Sequence, residues 1–404
     1  MSKQSIRKII LAYSGGLDTS VMLHWLKRNY DCEIIAYCAD IGQGAELDGL
    51  ETKALETGAS KLHILDLKNL FATEFIFTAL KAQALYEGRY LMGTSLARPL
   101  IAKAQIDLAR LEEADAVAHG ATGKGNDQVR FELTYYALMP RIKVIAPWRS
   151  WPFKSRSELI NYAKENRIPV EASLSKPYSI DRNLMHTSYE GGILEDPWFE
   201  PPEDIFQRTK AIKDTPEHAA YSEISFENGI PIAVDGQHME PVELIEHLNN
   251  LGGEHGVGRI DIVENRYVGI KSRGVYETPA LTILHKAHRA LESITLDREA
   301  SHLRDSLSVK ISELIYNGYW FSPEFSMMRA LINEMQKPVN GVVRVKLHKA
   351  NTIVVGLKSL NSLYSAKLAT FEEDSDYNQA DAEGFIKLNA LRLKRQACVV
   401  GEQL

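Results

Sequence analysis

Lys8-Ile9-Ile10-Leu11-Ala12-Tyr13-Ser14-Gly15-Gly16-Leu17-Asp18-Thr19-Ser20 is the stretch on which the reading of this chain turns. Ile9 to Tyr13 is short and continuously apolar, as suits a strand covered on both faces. Two glycines then break the strand, and a helical pattern begins that sets Val21, Met22, Trp25 and Leu26 on one face. A strand, a glycine turn and a helix N-terminus in succession make an anion site. Glycine lets the backbone approach a phosphate, and the open N–H groups and dipole of the first turn attract negative charge; Ser14, Thr19 and Ser20 add hydroxyl donors. A GG pair by itself is equally a tight turn with Asp18 or Thr19 capping the helix. The complete string SGGLDTS after a buried first strand favours phosphate. It is neither GxGxxG nor GxxxxGK[ST], so the two commonest phosphate loops are excluded.

Working outward, further short apolar runs lie at Glu33 to Cys38, Lys61 to Leu65, Asp115 to His119 and Lys143 to Ala146, separated by longer helical patterns. One of these helices is expected over Pro99 to Leu111, with the proline in its first turn. Apolar strands alternating with amphipathic helices predict an α/β fold, a doubly wound parallel-sheet nucleotide-binding domain. Ligands of such sheets collect at the carboxyl ends of the strands. The run Asp115 to His119 ends there in a second glycine loop, Gly120-Ala121-Thr122-Gly123-Lys124-Gly125-Asn126-Asp127-Gln128-Val129-Arg130. Its glycines admit a ligand closely, and Lys124, Asn126, Asp127 and Arg130 supply varied polar groups; the plainer reading is a solvated loop with Asp127 capping a helix.

Beyond about Pro177 the alternation fades. The stretch Asp196-Pro197-Trp198-Phe199-Glu200-Pro201-Pro202 reads as a crossing between units. An α+β region is expected to follow, with a hairpin turn at Asn228-Gly229, helices between Pro279 and Gln336, and strands at Val342 to Leu347 and Thr352 to Leu357. After the acidic cluster Glu372-Glu373-Asp374, the segment Ala380 to Arg395 places Phe385, Ile386, Leu388 and Leu391 on a helical face that packs on its own body or on another subunit. The expected division is 1–175 for nucleotide, 176–370 for substrates, and 371–404 for an oligomerisation helix.

The chain has 404 residues, enough for two hydrophobic cores, and a formal net charge of -6. That balance leaves no basic stripe for a phosphate backbone, so no nucleic-acid partner is expected. Three cysteines, Cys32, Cys38 and Cys398, show neither CxxC nor Cys/His metal spacing and read as free thiols of a reducing compartment. The apolar run near the N-terminus is too short for a signal sequence, and no stretch approaches a spanning helix. The expectation is a cytoplasmic protein without a membrane partner.

SGGLDTS resembles the loop of the ATP pyrophosphatases, which split ATP between its α and β phosphates. That resemblance implies a cradle for pyrophosphate, with Asp18 as a ligand for Mg²⁺ together with phosphate oxygens. Over nearly its whole length the chain also resembles the argininosuccinate synthase family. The motifs AYSGGLDTS, RYLMGTSLARP, HGATGKGNDQVRFE, YSIDRNLMHTSYEGGILEDP and ENRYVGIKSRGVYETPA stand in that family's order. The resemblance implies ATP contacts at Ala12, Tyr13, Ser14, Gly15, Gly16, Leu17, Asp18, Thr19, Ser20, Ala39 and Gly120. It implies aspartate contacts at Thr122, Asn126 and Asp127, and citrulline contacts at Tyr90, Ser95, Asn126, Arg130, Ser179, Ser188, Glu264 and Tyr276. Arg130 is suited to the citrulline carboxylate and Glu264 to its ammonium. Singly, each has a plainer reading as a surface ion pair or half-buried packing.

The resemblance further implies that the ureido oxygen of citrulline attacks the α-phosphate of ATP, giving a citrullyl-adenylate from which the amine of aspartate displaces AMP. Asp18 and Asp127 are the expected catalytic carboxylates, Asp127 as proton acceptor. A homotetramer is implied as well. Two alternatives stay open: another enzyme with this loop, tRNA-thiolating or amide-forming, or a protein that senses ATP without turnover. No CxxC and no N-terminal catalytic cysteine supports the first, and the second leaves the Gly120 loop without a use.

Overall fold

The computed structural model describes residues 6–169, 178–370 and 377–401. Strands β1 (Lys8–Ala12), β2 (Glu33–Asp40), β3 (Lys61–Asp66), β4 (Ala116–Ala118) and β5 (Lys143–Ile145) form one parallel sheet in the order β3-β2-β1-β4-β5. Strand residues alternate between two buried faces. Ile9, Leu11, Ile34 and Ala36 share a core with Val21, Met22 and Leu26 of the helix Leu17–Asn29 and with Leu159 and Ile160 of the helix Arg156–Glu165. On the other face Ile10, Ile35 and Tyr37 belong to a core with Leu96, Leu100 and Ala104 of the helix Gly93–Leu111. The doubly wound plan expected from the apolar runs is therefore present.

The order reverses between β1 and β4, and buried Gln105 braces that gap. Its Nε2 donates to the carbonyls of Ile10 and Ala118, each at 2.9 Å, while Tyr135 donates to its Oε1 at 2.5 Å. The helix expected from Pro99 begins six residues earlier, at Gly93, so the proline lies inside it. Met92, at φ 63°, turns the chain sharply into this helix, and a Cβ on Gly93 would stand 2.6 Å from the ring of His186. Because Gly93, Thr94 and Ser95 carry no apolar signature, the proline looked like the start.

The second region is α+β, with strands β6 (Ser179–Arg182), β7 (Thr187–Glu190), β8 (Ala220–Glu227), β9 (Ile230–Val234), β10 (Gln237–His238), β11 (Arg259–Asn265), β12 (Lys271–Glu277), β13 (Gly341–His348) and β14 (Asn351–Lys358). They build two sheets, of orders β11-β12-β7-β6 and β10-β9-β8-β13-β14. Asn228 and Gly229, at φ 49° and 73°, form the expected hairpin turn between β8 and β9. The stretch expected to be helical from 279 to 336 holds three helices, Pro279–Thr295, Arg298–Asn317 and Pro323–Met335, the second capped by the Asp297 carboxylate on the Ala300 N–H at 2.8 Å. The proline-rich stretch 196–202 follows β7 and so falls inside this region.

Described residues up to Asn361 form one compact unit and those from Ser362 onward another. In the first, the core on the Ile10 face of the parallel sheet continues from Leu96 to Ile224, Leu284 and Val343, apart from the core around Ile9 and Leu11. In the second, the helix Asp381–Gly401 covers the expected tail and leaves Phe385, Ile386, Leu388 and Leu391 exposed. The expected border at 175/176 and the cluster Glu372 to Asp374 lie outside the described residues, and the border at 370/371 falls at their edge. No helix among the described residues is long and apolar enough to cross a membrane.

Candidate active site

At the carboxyl ends of the parallel strands, Gly16 takes the cap position of the Leu17–Asn29 helix and brings no side chain to it. The N–H groups of the first turn are thus not taken up by a side-chain cap, and neither Asp18 nor Thr19 acts as one. The Ser14 and Thr19 hydroxyls stand 3.1 Å apart over this turn. Ser20 is buried beneath it, 3.1 Å from the Tyr13 hydroxyl and donating to the Gly15 carbonyl at 3.3 Å. Gly15 sits at φ +74°, and a Cβ there would meet Leu50 Cδ1 at 2.4 Å. The Lys53 ammonium donates to its carbonyl.

Two chambers open over this loop. The first, about 480 Å³, is walled by Ala12, Tyr13, Ser14, Gly16, Asp18 and Thr19, by Ala39 at the end of β2, and by Gly120. The second, about 410 Å³, is walled by Tyr90, Thr122, Asn126, Asp127, Arg130, Ser179, Glu264 and Tyr276. Asp18, Arg98, Gly120, Ala121, Thr122 and Asp127 belong to both walls. Five of the expected contacts lie behind the walls. Gly15, Leu17 and Ser20 underlie the loop. Ser95 is fully buried with its hydroxyl unpartnered, and Ser188 on β7 lies opposite Tyr276 with its hydroxyl donating to the Asp181 carbonyl at 3.4 Å. Lys124 is exposed and lines neither chamber.

Charge at the shared wall is tightly organised. Asp127 accepts from Arg98 Nε and from Arg130 Nη1, both at 2.9 Å, and Arg98 Nη2 reaches Asp181 at 2.6 Å. Burial pushes the Asp127 carboxyl up, but the two guanidiniums outweigh it and hold it at about 2. A carboxylate held in its charged form by two guanidiniums is a weak base, and both its oxygens are engaged, a geometry that suits orientation. Arg130 also donates Nε to the Tyr316 carbonyl at 2.9 Å, which leaves Nη2 for a ligand. Glu264 is buried, accepts from the Tyr276 hydroxyl at 2.8 Å through Oε1, and keeps Oε2 unpartnered. Burial raises its carboxyl against the opposing pull of Tyr276, Tyr316 and Arg130. Burial likewise raises Asp18, opposed by Arg156.

Arg98, Asp181, Glu190, Arg266 and Tyr316 were not singled out in the sequence, yet each lines a chamber. Arg98, Asp181 and Glu190 stand within RYLMGTSLARP and YSIDRNLMHTSYEGGILEDP, so a search of those motifs for buried opposite charges could have found them. Among the described residues no three His, Cys, Asp or Glu side chains gather as a metal site. Asp18, a lone carboxylate beside open N–H groups, fits a magnesium ion that takes its remaining ligands from phosphate. Cys38 borders the first chamber, but burial holds its thiol up to about 12, which keeps it protonated and unreactive.

A parallel sheet with its strand-order switch at β1/β4, where two glycine loops enclose a double chamber, defines a nucleotide-binding α/β protein. A family profile described as the arginosuccinate synthase N-terminal HUP domain matches residues 8–169, and one described as the arginosuccinate synthase C-terminal domain matches residues 178–396. The chain is 57% identical over 404 residues to the argininosuccinate synthase of Citrifermentans bemidjiense, covering 100% of both chains. It is 59% identical over 395 residues to that of Geotalea daltonii, covering 98% of this chain and 97% of the other. To that of Leptospira biflexa serovar Patoc it is 60% identical over 397 residues, covering 98% and 99%. The chain belongs to the argininosuccinate synthase family and is an ATP-dependent ligase.

Proposed function

We propose that the chain joins citrulline to aspartate through a citrullyl-adenylate, releasing pyrophosphate and then AMP, as a step of arginine biosynthesis. The observation that carries this is the wall common to both chambers, Asp18, Arg98, Gly120 to Thr122 and Asp127. A nucleotide in the first chamber and an amino acid in the second would meet across it. The open N–H groups after Gly16 and the Ser14 and Thr19 hydroxyls take the phosphates that depart. Asp18 would hold Mg²⁺, which supplies positive charge to the pyrophosphate.

In the second chamber the free Oε2 of Glu264 receives the citrulline ammonium, and Arg130 Nη2 its carboxylate. Tyr90 and Tyr276, stacked at 4.3 Å, and Ser179 shape the space for its chain. Ser95 and Ser188 support this wall from behind. Thr122, Asn126 and Asp127 receive aspartate, the last mainly by orienting its ammonium. Since no side chain here is a reactive nucleophile, alignment and charge neutralisation are what the protein supplies.

Citrulline carrying heavy oxygen in its ureido group tests the order of bonds. In the adenylate that oxygen bridges carbon and phosphorus, and attack of nitrogen on carbon leaves it with phosphorus. Labelled AMP is the expected product by mass spectrometry. Unlabelled AMP, or ADP with label in inorganic phosphate, would overturn the reading.

A further inference from the structure

Four carboxylates line the second chamber, and three have engagements that suit them to other work. Asp127 is clamped by two guanidiniums, Glu264 is buried against Tyr276, and Asp18 belongs to the phosphate loop. The fourth is Glu190, at the end of β7 and opposite Ser179 in the β6 register. Its Oε2 accepts from Arg266 Nη2 at 2.7 Å, and its Oε1 has no hydrogen-bond partner among the described residues. Although protein surrounds it, 37% of its side-chain surface stays open, at the wall of the chamber. No histidine lines either chamber among the described residues. His186, the nearest in sequence, is fully buried outside the walls.

Resting on the ligase reading above, we infer that Glu190 is the general base that takes the proton the aspartate ammonium must lose before its nitrogen attacks the activated ureido carbon. An ammonium has no lone pair. One proton passes to Glu190 Oε1, the freed pair forms the C–N bond, and the C–O bond breaks with its electrons leaving on the AMP phosphate. The second surplus proton on nitrogen departs with that phosphate, so the product guanidinium, AMP and protonated Glu190 account for every proton. Arg266 from the β11–β12 turn contacts Glu190, and the other titratable groups coupled to it by charge are Glu264 on β11, Tyr276 on β12, Asp181 on β6, Asp127 and Tyr90. Burial raises the Glu190 carboxyl to about 7; Arg266 opposes this and Glu264, Asp127 and Asp181 reinforce it. A base poised near neutrality can take a proton and release it again afterwards.

The test is the pH profile of kcat in the whole enzyme, with citrulline affinity measured separately by calorimetry. Wild type should show activity rising with pH through a limb near neutrality. Glu190→Gln should lower kcat at neutral pH about 100-fold and lose that limb, with activity climbing on into alkaline solution as aspartate deprotonates unaided. Arg266→Gln, which removes the one cation opposing the rise, should move the limb to higher pH. An unchanged limb in Glu190→Gln, or citrulline affinity falling by the same factor as kcat/KM, overturns the assignment. Should Glu190→Gln fail to fold, an unmoved limb in Arg266→Gln overturns it alone. Wild type that forms no AMP from ATP, citrulline and aspartate would instead sink the ligase reading.

Discussion

Asp18 and Asp127 are both acidic residues near a helix start, and their surroundings drive them in opposite directions. At Asp18 burial dominates, so the charged form is held at a cost to the fold. Asp18→Asn should therefore lower turnover about 100-fold, by removing charge at the phosphate loop, while the thermal unfolding midpoint holds or rises. Turnover kept within a few fold, in this variant and in Ser14→Ala, would remove the loop from the mechanism. At Asp127 the guanidiniums of Arg98 and Arg130 dominate, and the carboxyl falls from 3.8 to about 2. A depressed carboxylate contributes stability in full above its unfolded pKa, and that contribution is lost as pH falls through the folded value. Asp127→Asn should thus be less stable than wild type at neutral pH in urea titrations, with the gap closing as the buffer approaches pH 2. A gap that stays constant on acidification would mean that the two ion pairs contribute nothing.

At the scale of elements, the loop after β2 ties the parallel sheet to the β6–β7 pair. Leu184 donates its N–H to the Ile41 carbonyl at 2.7 Å, and neighbouring Gly42, at φ +96°, lies so close that a Cβ would meet the Leu184 backbone nitrogen at 2.8 Å. Backbone cannot swing aside as a side-chain tip can. Gly42→Ala should cost roughly 1–3 kcal/mol in unfolding free energy and weaken nucleotide binding, because Ile41 and Gln43 line the first chamber. An unfolding free energy equal to wild type would show that the loop is free to shift. Such ties also mark the limit of what the sequence discloses. The glycine loops were legible because their signal is local: an apolar run, glycines, then a helical period. The sheet of β6, β7, β11 and β12 was not, since Ser-Ile-Asp-Arg is only four residues long and half charged, and Arg-Ile-Asp-Ile-Val-Glu-Asn mixes apolar residues with charged ones, so both gain strand form by pairing across the fold. The same holds for the clamp on Asp127. Arg98 lies 29 residues from Asp127 and 83 from Asp181, and nothing local announces that the three share one wall.

At the scale of the whole molecule, the tail presents apolar surface that no described residue of its own unit covers. Phe385, Ile386, Leu388 and Leu391 are 60 to 70% exposed on the helix Asp381–Gly401, which buries no residue at all. Single exposed leucines are ordinary, but four large apolar side chains exposed within seven residues of one helix are not. An isolated helix of this kind is also marginal in water, since most helical stability in proteins comes from packing an apolar face. We propose that this helix docks on another copy of the chain and that assembly into a homotetramer depends on it. The two requirements can be separated experimentally. A chain ending at Glu373 removes helix and patch together, whereas Phe385→Glu with Leu388→Glu keeps the length and helix-forming residues but reverses the character of the face. Light scattering should give a lower assembly mass for both, with circular dichroism showing that the remaining body stays folded. If only the truncated chain dissociates, backbone or linker contacts hold the copies together rather than the apolar face. If neither does, the helix has no part in assembly.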